Sequence, residues 1–128
     1  MSLEYLIFSP DGGSTPYSDL VVVDGRELHL SGLIAVDLET GKEQYGTITE
    51  ETRLILDNLA VLLEQHGSDM DHVVRTTVLL SDFSERDKMN MEYVHHFKPD
   101  RLPARLCFGN VGLHGKCKVE IAVDAVKR

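Results

Sequence analysis

Two charges near the C-terminus stand out in the stretch "LPARLCFGNVGLHGKCKVEIAVDA", Leu102–Ala125: Arg105 and Glu120. An arginine in a partly dry cleft grips a carboxylate through two parallel hydrogen bonds. A glutamate left free beside it can take a proton from water as a general base. The segment "VGLHG" between them reads as a bend, and an antiparallel hairpin about it has a constant index sum of about 225 to 227, of which 225 splits the faces most cleanly. That register sets Arg105 opposite Glu120 and Cys107 opposite Lys118. One face then carries Arg105, Cys107, Lys118, Glu120 and Asp124, and the other Leu106, Phe108, Val119, Ile121 and Val123. The apolar set would face the protein's core. A plainer reading is a cross-strand ion pair worth roughly 0.2–1 kcal/mol, and spacing alone does not choose between the two.

These residues need elements to position them. "YLIF" (Tyr5–Phe8) reads as a strand and precedes the breaker run "SPDGGSTPYS". "DLVVVD" and "ELHLSG" form a hairpin with Asp24–Gly25 as its turn signal, and "AVDLETGKEQYG" is a polar loop. "TITEETRLILDNLAVLLEQHG" is the clearest helix: Thr47 and Glu50 make a capping box and Gly67 supplies the stop. Ile48, Thr52, Ile55, Leu59, Leu62 and His66 draw one stripe along it, widened by Leu56 and Leu63. "HVVRTTVLLSD" is a β-branched strand, and "SERDKMNMEYVHHF" is a second helix capped by Ser84. The order ββ(β)–α–β–α–β–β predicts a single α+β domain over residues 1–128, one mixed sheet packed on two helices. Two helices cover one face of such a sheet, yet "DLVVVD" and "VVRTTVLL" carry apolar side chains on both. The second face therefore needs a partner, and self-association is the simplest.

Composition excludes several functions. Net charge is −8 with no basic cluster, whereas nucleic-acid binders neutralise phosphates with a basic patch. No apolar run has a membrane-spanning length, and "MSLEYLIFSPDGG" lacks the basic start and long apolar run of a signal peptide. The two cysteines, Cys107 and Cys117, form no CxxC, and the histidines show no metal-ligand spacing. His95 and His96 are adjacent on a predicted helix, so their side chains diverge. The expectation is a cytoplasmic protein with free thiols and neither metal, nucleic-acid nor membrane partners. Taken alone, Tyr17 is a loop tyrosine, Cys107 a small packed side chain, Ser31–Gly32 a strand end, and Asn90 a helical residue satisfying local backbone. His29, His66, His72 and His114 stand at no spacing that assigns them a role.

From Tyr17 to Lys127 the chain resembles the Rid (YjgF) family of imine/enamine deaminases. The resemblance rests on an ordered series: "PYS", "LSG", "DNL", "VVRTTVLLSD", Asn90 with Tyr93 and Phe97, "PAR-x-C" and "KVEI". It implies a chorismate-mutase-like fold and a homotrimer with clefts between subunits. It implies that Arg105 holds a substrate carboxylate and that Glu120 positions or activates water. Residues Tyr17, Ser31, Gly32, Asn90 and Cys107 would surround the cleft, Cys107 through backbone groups and packing. The implied reaction takes a 2-imino acid, or its enamine tautomer, to a 2-oxo acid and ammonia, without cofactor.

The chain also departs from the family pattern. Leu106 follows "PAR" where serine is common, and "SGLIA" carries Leu33 and Ala35 in place of glutamine and proline. "GNVGLHGK", with Gly109 and Asn110, replaces "EVARLP", and Ala122 stands where a second acid is usual. These changes leave Arg105 and Glu120 in place but alter the cleft wall, so the substrate is less defined than the chemistry. Two alternatives follow: a module that binds a small carboxylate without turnover, and the endoribonuclease or translation-inhibitor activity attached to family relatives, which the acidic balance opposes.

Overall fold

The capping box at Thr47 starts the long helix as expected. In the computed structural model, which describes residues 1–8 and 15–128, Thr47 Oγ1 accepts from the Glu50 amide at 3.1 Å, and the Glu50 carboxylate accepts from the Thr47 amide at 2.9 Å. The helix, α1, runs Ile48–Gln65. Ile48, Thr52, Ile55, Leu59 and Leu62 of the stripe are buried, as are Leu56 and Leu63. Gly67, at φ +80°, takes the left-handed conformation that ends the helix cheaply.

The second helix, α2, spans Arg86–Tyr93 after a 3₁₀ turn at Phe83–Glu85. Its start corrects the expectation for Ser84. The side-chain cap is Asp82 and belongs to the 3₁₀ turn: its Oδ1 accepts from both the Ser84 amide (2.9 Å) and the Ser84 hydroxyl (2.7 Å), while Glu85 at the start of α2 makes no side-chain cap bond. An upstream carboxylate engages the local donors before the serine can.

Six strands form one sheet: β1 Leu3–Leu6, β2 Leu20–Val23, β3 Glu27–Leu33, β4 Val73–Leu80, β5 Ala104–Phe108 and β6 Val119–Val126, in the order β1-β2-β3-β6-β4-β5. The β4–β5 pair is parallel and the others antiparallel, so the sheet is mixed. The first strand lies two residues earlier than "YLIF" suggests, and residues 9–14 of the breaker run lie outside the described residues. Asp24 (φ 52°) and Gly25 (φ 63°) make the β2–β3 turn, with the Arg26 amide donating to the Val23 carbonyl at 2.9 Å. Two left-handed residues in succession match the twist of the flanking strands.

The C-terminal hairpin does not form. β5 and β6 are separated by β4, which pairs with both: Thr76 faces Arg105 on one side and Val123 on the other, and Leu79 faces Phe108 and Glu120. Thr76, Val78 and Leu80 are buried under the helices. Arg105 and Cys107, in register with Thr76 and Val78, therefore take the helix side. Leu106 and Phe108 turn to the opposite face, where each is about half exposed. The β6 assignment holds, with Val119, Ile121 and Val123 buried. The β5 assignment is inverted, because parallel pairing to β4 fixes its faces independently of β6.

The sheet face away from the helices is uncovered in the single chain. It exposes Leu3, Tyr5, Leu106 and Phe108, and half-exposes Val21, Val23 and Leu79. Both cysteines are free thiols. Among the described residues, no helix is long and apolar enough to cross a membrane, and no group of three or more metal-ligating side chains gathers.

Candidate functional site

Glu120 emerges from β6 on the open face and lines a cavity of about 520 Å³ with Tyr17, Ser31 and Gly32. Sequence reasoning named all four. Their meeting depends on a glycine: a Cβ at Gly32 would overlap Glu120 Oε2 and lie 2.8 Å from the carboxyl carbon. The carboxylate thus lies flat across the β3 backbone, a position that any side chain at 32 would deny it. The Ser31 hydroxyl donates to the Ser18 carbonyl at 2.6 Å, tying β3 to the segment that carries Tyr17. Ile34 completes the apolar part of the wall.

Two further cavity residues, Glu43 and His114, received no role from the sequence. They are 71 positions apart and joined at 2.8 Å between a carboxylate oxygen and His114 Nε2. No periodicity links positions so far apart; the only signal was the departure "GLHGK" itself.

Arg105 is elsewhere. Its guanidinium carbon lies 4.9 Å from the centroid of the Tyr93 ring, a cation–π arrangement on the helix side of the sheet. The Tyr93 hydroxyl is bonded to Thr76 Oγ1 at 2.7 Å. Burial holds the Tyr93 phenol above its usual range, against smaller opposing effects of the Thr76 bond and the Arg105 charge. The phenol therefore stays neutral and the ring is a fixed platform for the guanidinium. Cys107 follows two residues along β5 on the same side, packed against the core. Asn90, one turn before Tyr93 on α2, has a buried Oδ1 with no hydrogen-bond partner among the described residues.

The predicted residues thus fall into two groups. Tyr17, Ser31, Gly32 and Glu120 share the cavity on the open face, while Arg105, Cys107 and Asn90 belong to the helix side and the edge strand β5. Within one chain Arg105 and Glu120 do not meet, which corrects the direct opposition expected of a hairpin. It also removes the cross-strand ion pair.

Several departures from the family pattern have local explanations. A Cβ at Gly109 would run into the Phe83 side chain, and Asn110, at φ 57°, accepts from the Phe83 amide at 3.2 Å. Ala35 is fully buried, Leu33 packs against the core, and Leu106 and Ala122 lie on the open face.

The same residues carry likenesses to known proteins. The family described as Endoribonuclease L-PSP matches residues 11–127. A human protein named 2-iminobutanoate/2-iminopropanoate deaminase is 34% identical over 91% of this chain and 83% of its own length. The mouse protein of that name is 37% identical over 88% of this chain and 82% of its own. Among solved structures, a YjgF-family protein from Neisseria meningitidis superposes with a TM-score of 0.81 at 29% identity, covering 100% of this chain and 97% of that one. With its α+β sheet order, its Glu120 cavity and these likenesses spanning nearly the whole sequence, the chain belongs to the Endoribonuclease L-PSP family, the group that also carries the YjgF and RutC names.

Proposed function

We propose that the protein hydrolyses 2-imino acids, or their enamine tautomers, to 2-oxo acids and ammonia, in clefts between the subunits of a homotrimer. The observation that carries this reading is the Glu120 carboxylate, laid across Gly32 into a cavity on a sheet face that the single chain leaves uncovered. An uncovered face with exposed Leu106 and Phe108 suits a neighbouring subunit. A neighbour seated there would bring its own β5 edge, and with it Arg105, towards Glu120. The division of the predicted residues between two faces then becomes a requirement of the assembly.

The chemistry follows from those two groups. Arg105 holds the substrate carboxylate through its two-pronged fork, which fixes the imine carbon in place. Glu120 takes a proton from water as the oxygen adds to that carbon, a role worth about 10²–10⁴-fold in rate. The relatives' names speak for small aliphatic imino acids. A net charge of −8 speaks against a polyanionic substrate.

The test is release of ammonia and 2-oxo acid from imines formed in place by an amino-acid oxidase or a dehydratase, compared with the spontaneous rate. The wild type accelerates it, and Arg105→Ala and Glu120→Gln each lose the acceleration. Arg105-dependent binding of 2-oxo acids with no acceleration of any imino acid would instead favour a carboxylate-binding module.

A further inference from the structure

The cavity that holds Glu120 also holds an imidazole, and neither the grip on the carboxylate nor the activation of water employs it. His114 Nε2 lies 2.8 Å from a Glu43 carboxylate oxygen. A carboxylate there keeps the proton on Nε2 and leaves Nδ1 as the nitrogen that exchanges protons.

The pair is held from several sides. The His114 carbonyl accepts from the Cys117 amide at 3.1 Å, closing a tight turn. Gly115, at φ 56°, lies under the Tyr45 hydroxyl, which a Cβ would overlap. Just beyond, buried Glu51 accepts from the Lys118 amide at 2.9 Å. The loop bearing His114 is thus stitched at three points to residues 43–51, and the imidazole is placed rather than free.

The groups around it are Glu43, Glu120 and Tyr17 in the cavity, and Tyr45 and Lys116 beside the turn. Desolvation, and after it the Glu43 carboxylate, hold the Tyr45 phenol above its usual range against a bond to the Lys116 backbone. Tyr45 is therefore no acid at neutral pH. Among these side-chain types, imidazole alone gains and loses a proton in the neutral range.

We propose that His114, oriented by Glu43, is the general acid that protonates the departing nitrogen. This inference rests on the deaminase reading and adds a residue to it. Water adds to the carbon of the protonated imine, and its proton passes to Glu120, leaving a carbinolamine with a neutral amino group. Imidazolium at His114 then gives its proton to that nitrogen. The C–N bond breaks with its electron pair going to ammonia, the C–O bond becomes a carbonyl, and the hydroxyl proton returns to His114. The proton held by Glu120 leaves with ammonia as ammonium, so one water is consumed and one 2-oxo acid released.

The test is kcat and KM for His114→Gln and Glu43→Gln on an imine formed in place, with the spontaneous rate subtracted. His114 is 70% exposed in the single chain, so its replacement leaves the core intact. His114→Gln lowers kcat about 10²-fold with little change in KM. Glu43→Gln lowers kcat by less, again with little change in KM, because the imidazole stays but loses the carboxylate that orients it. A His114→Gln protein with the wild-type kcat overturns the proposal. Glu120→Gln loses acceleration altogether, which separates the two readings. If the wild type gives no acceleration, the deaminase reading fails and this one falls with it.

Discussion

Replacing Gly32 with alanine separates chemistry from folding more cleanly than removing a charge. The new methyl would sit 2.8 Å from the carboxyl carbon of Glu120 and overlap Oε2, whereas ordinary contact begins at 3.4 Å. The carboxylate must therefore retreat by at least about 0.6 Å, and the overlapping oxygen by roughly 1 Å or more. A displacement near 1 Å of a group aimed at a reacting atom costs on the order of 10²-fold in rate, or about 2.7 kcal/mol of barrier. The fold has no reason to object. Gly32 does not use the left-handed region, the clashing atoms end a flexible side chain, and glycine in a strand is the costlier residue in the unfolded chain. The Gly32→Ala protein should keep or slightly raise its Tm while losing most of its acceleration of imine hydrolysis, with the loss mainly in kcat. Wild-type turnover with an unchanged Tm would refute the claim that the carboxylate's seat over β3 matters.

Other consequences can be checked alongside. Phe108→Asp puts a charge on the open face and should shift the protein to a smaller species in sedimentation, since each large apolar side chain buried there contributes about 1.5–3 kcal/mol; an unchanged mass would count against that face as the interface. Buried Glu51 accepts from the Gly46 amide at 3.1 Å and the Lys118 amide at 2.9 Å. Glu51→Ala orphans both donors and should cost about 2–4 kcal/mol in denaturant unfolding. His29 is raised above the ordinary imidazole value of 6.5, first by its bond to Asp124, then by Glu27, against partial desolvation. A raised folded pKa stabilises fully below 6.5 and fades as pH climbs through the raised value. Asp124→Asn should therefore flatten the dependence of Tm on pH over that window.

Most local signals in the sequence were reliable, the Ser84 cap and the bounds of β1 excepted, and partnerships between distant segments were not. The capping box at Thr47, the stripe on α1 as far as Leu62 and the Asp24–Gly25 turn depend on residues within a few positions of one another, and these appear as read, while His66 at the end of the stripe is the C-cap and only partly buried. The faces of β6 were legible because Val119, Ile121 and Val123 alternate with Glu120 and Ala122. β5 was misread because Ala104, Leu106 and Phe108 alternate just as well, and alternation does not say which strand is the neighbour. Only the parallel pairing with β4 decides that Arg105 faces the helices. In the site, Tyr17, Ser31, Gly32 and Glu120 could be named from motifs, but the reason for Gly32 is a contact with a residue 88 positions away. Glu43 and His114 are joined by tertiary structure alone.

The central claim is that Arg105 of one subunit and Glu120 of another complete each cleft, and mixing inactive variants tests it most directly. Arg105→Ala and Glu120→Gln proteins are unfolded together in equal amounts, refolded, and assayed for imine hydrolysis, with the mixed oligomers verified by mass. Random assembly in a closed ring restores both groups in about one cleft in four, so activity should return to roughly a quarter of the wild-type rate. Verified mixed oligomers that stay as inactive as their parents would contradict the account.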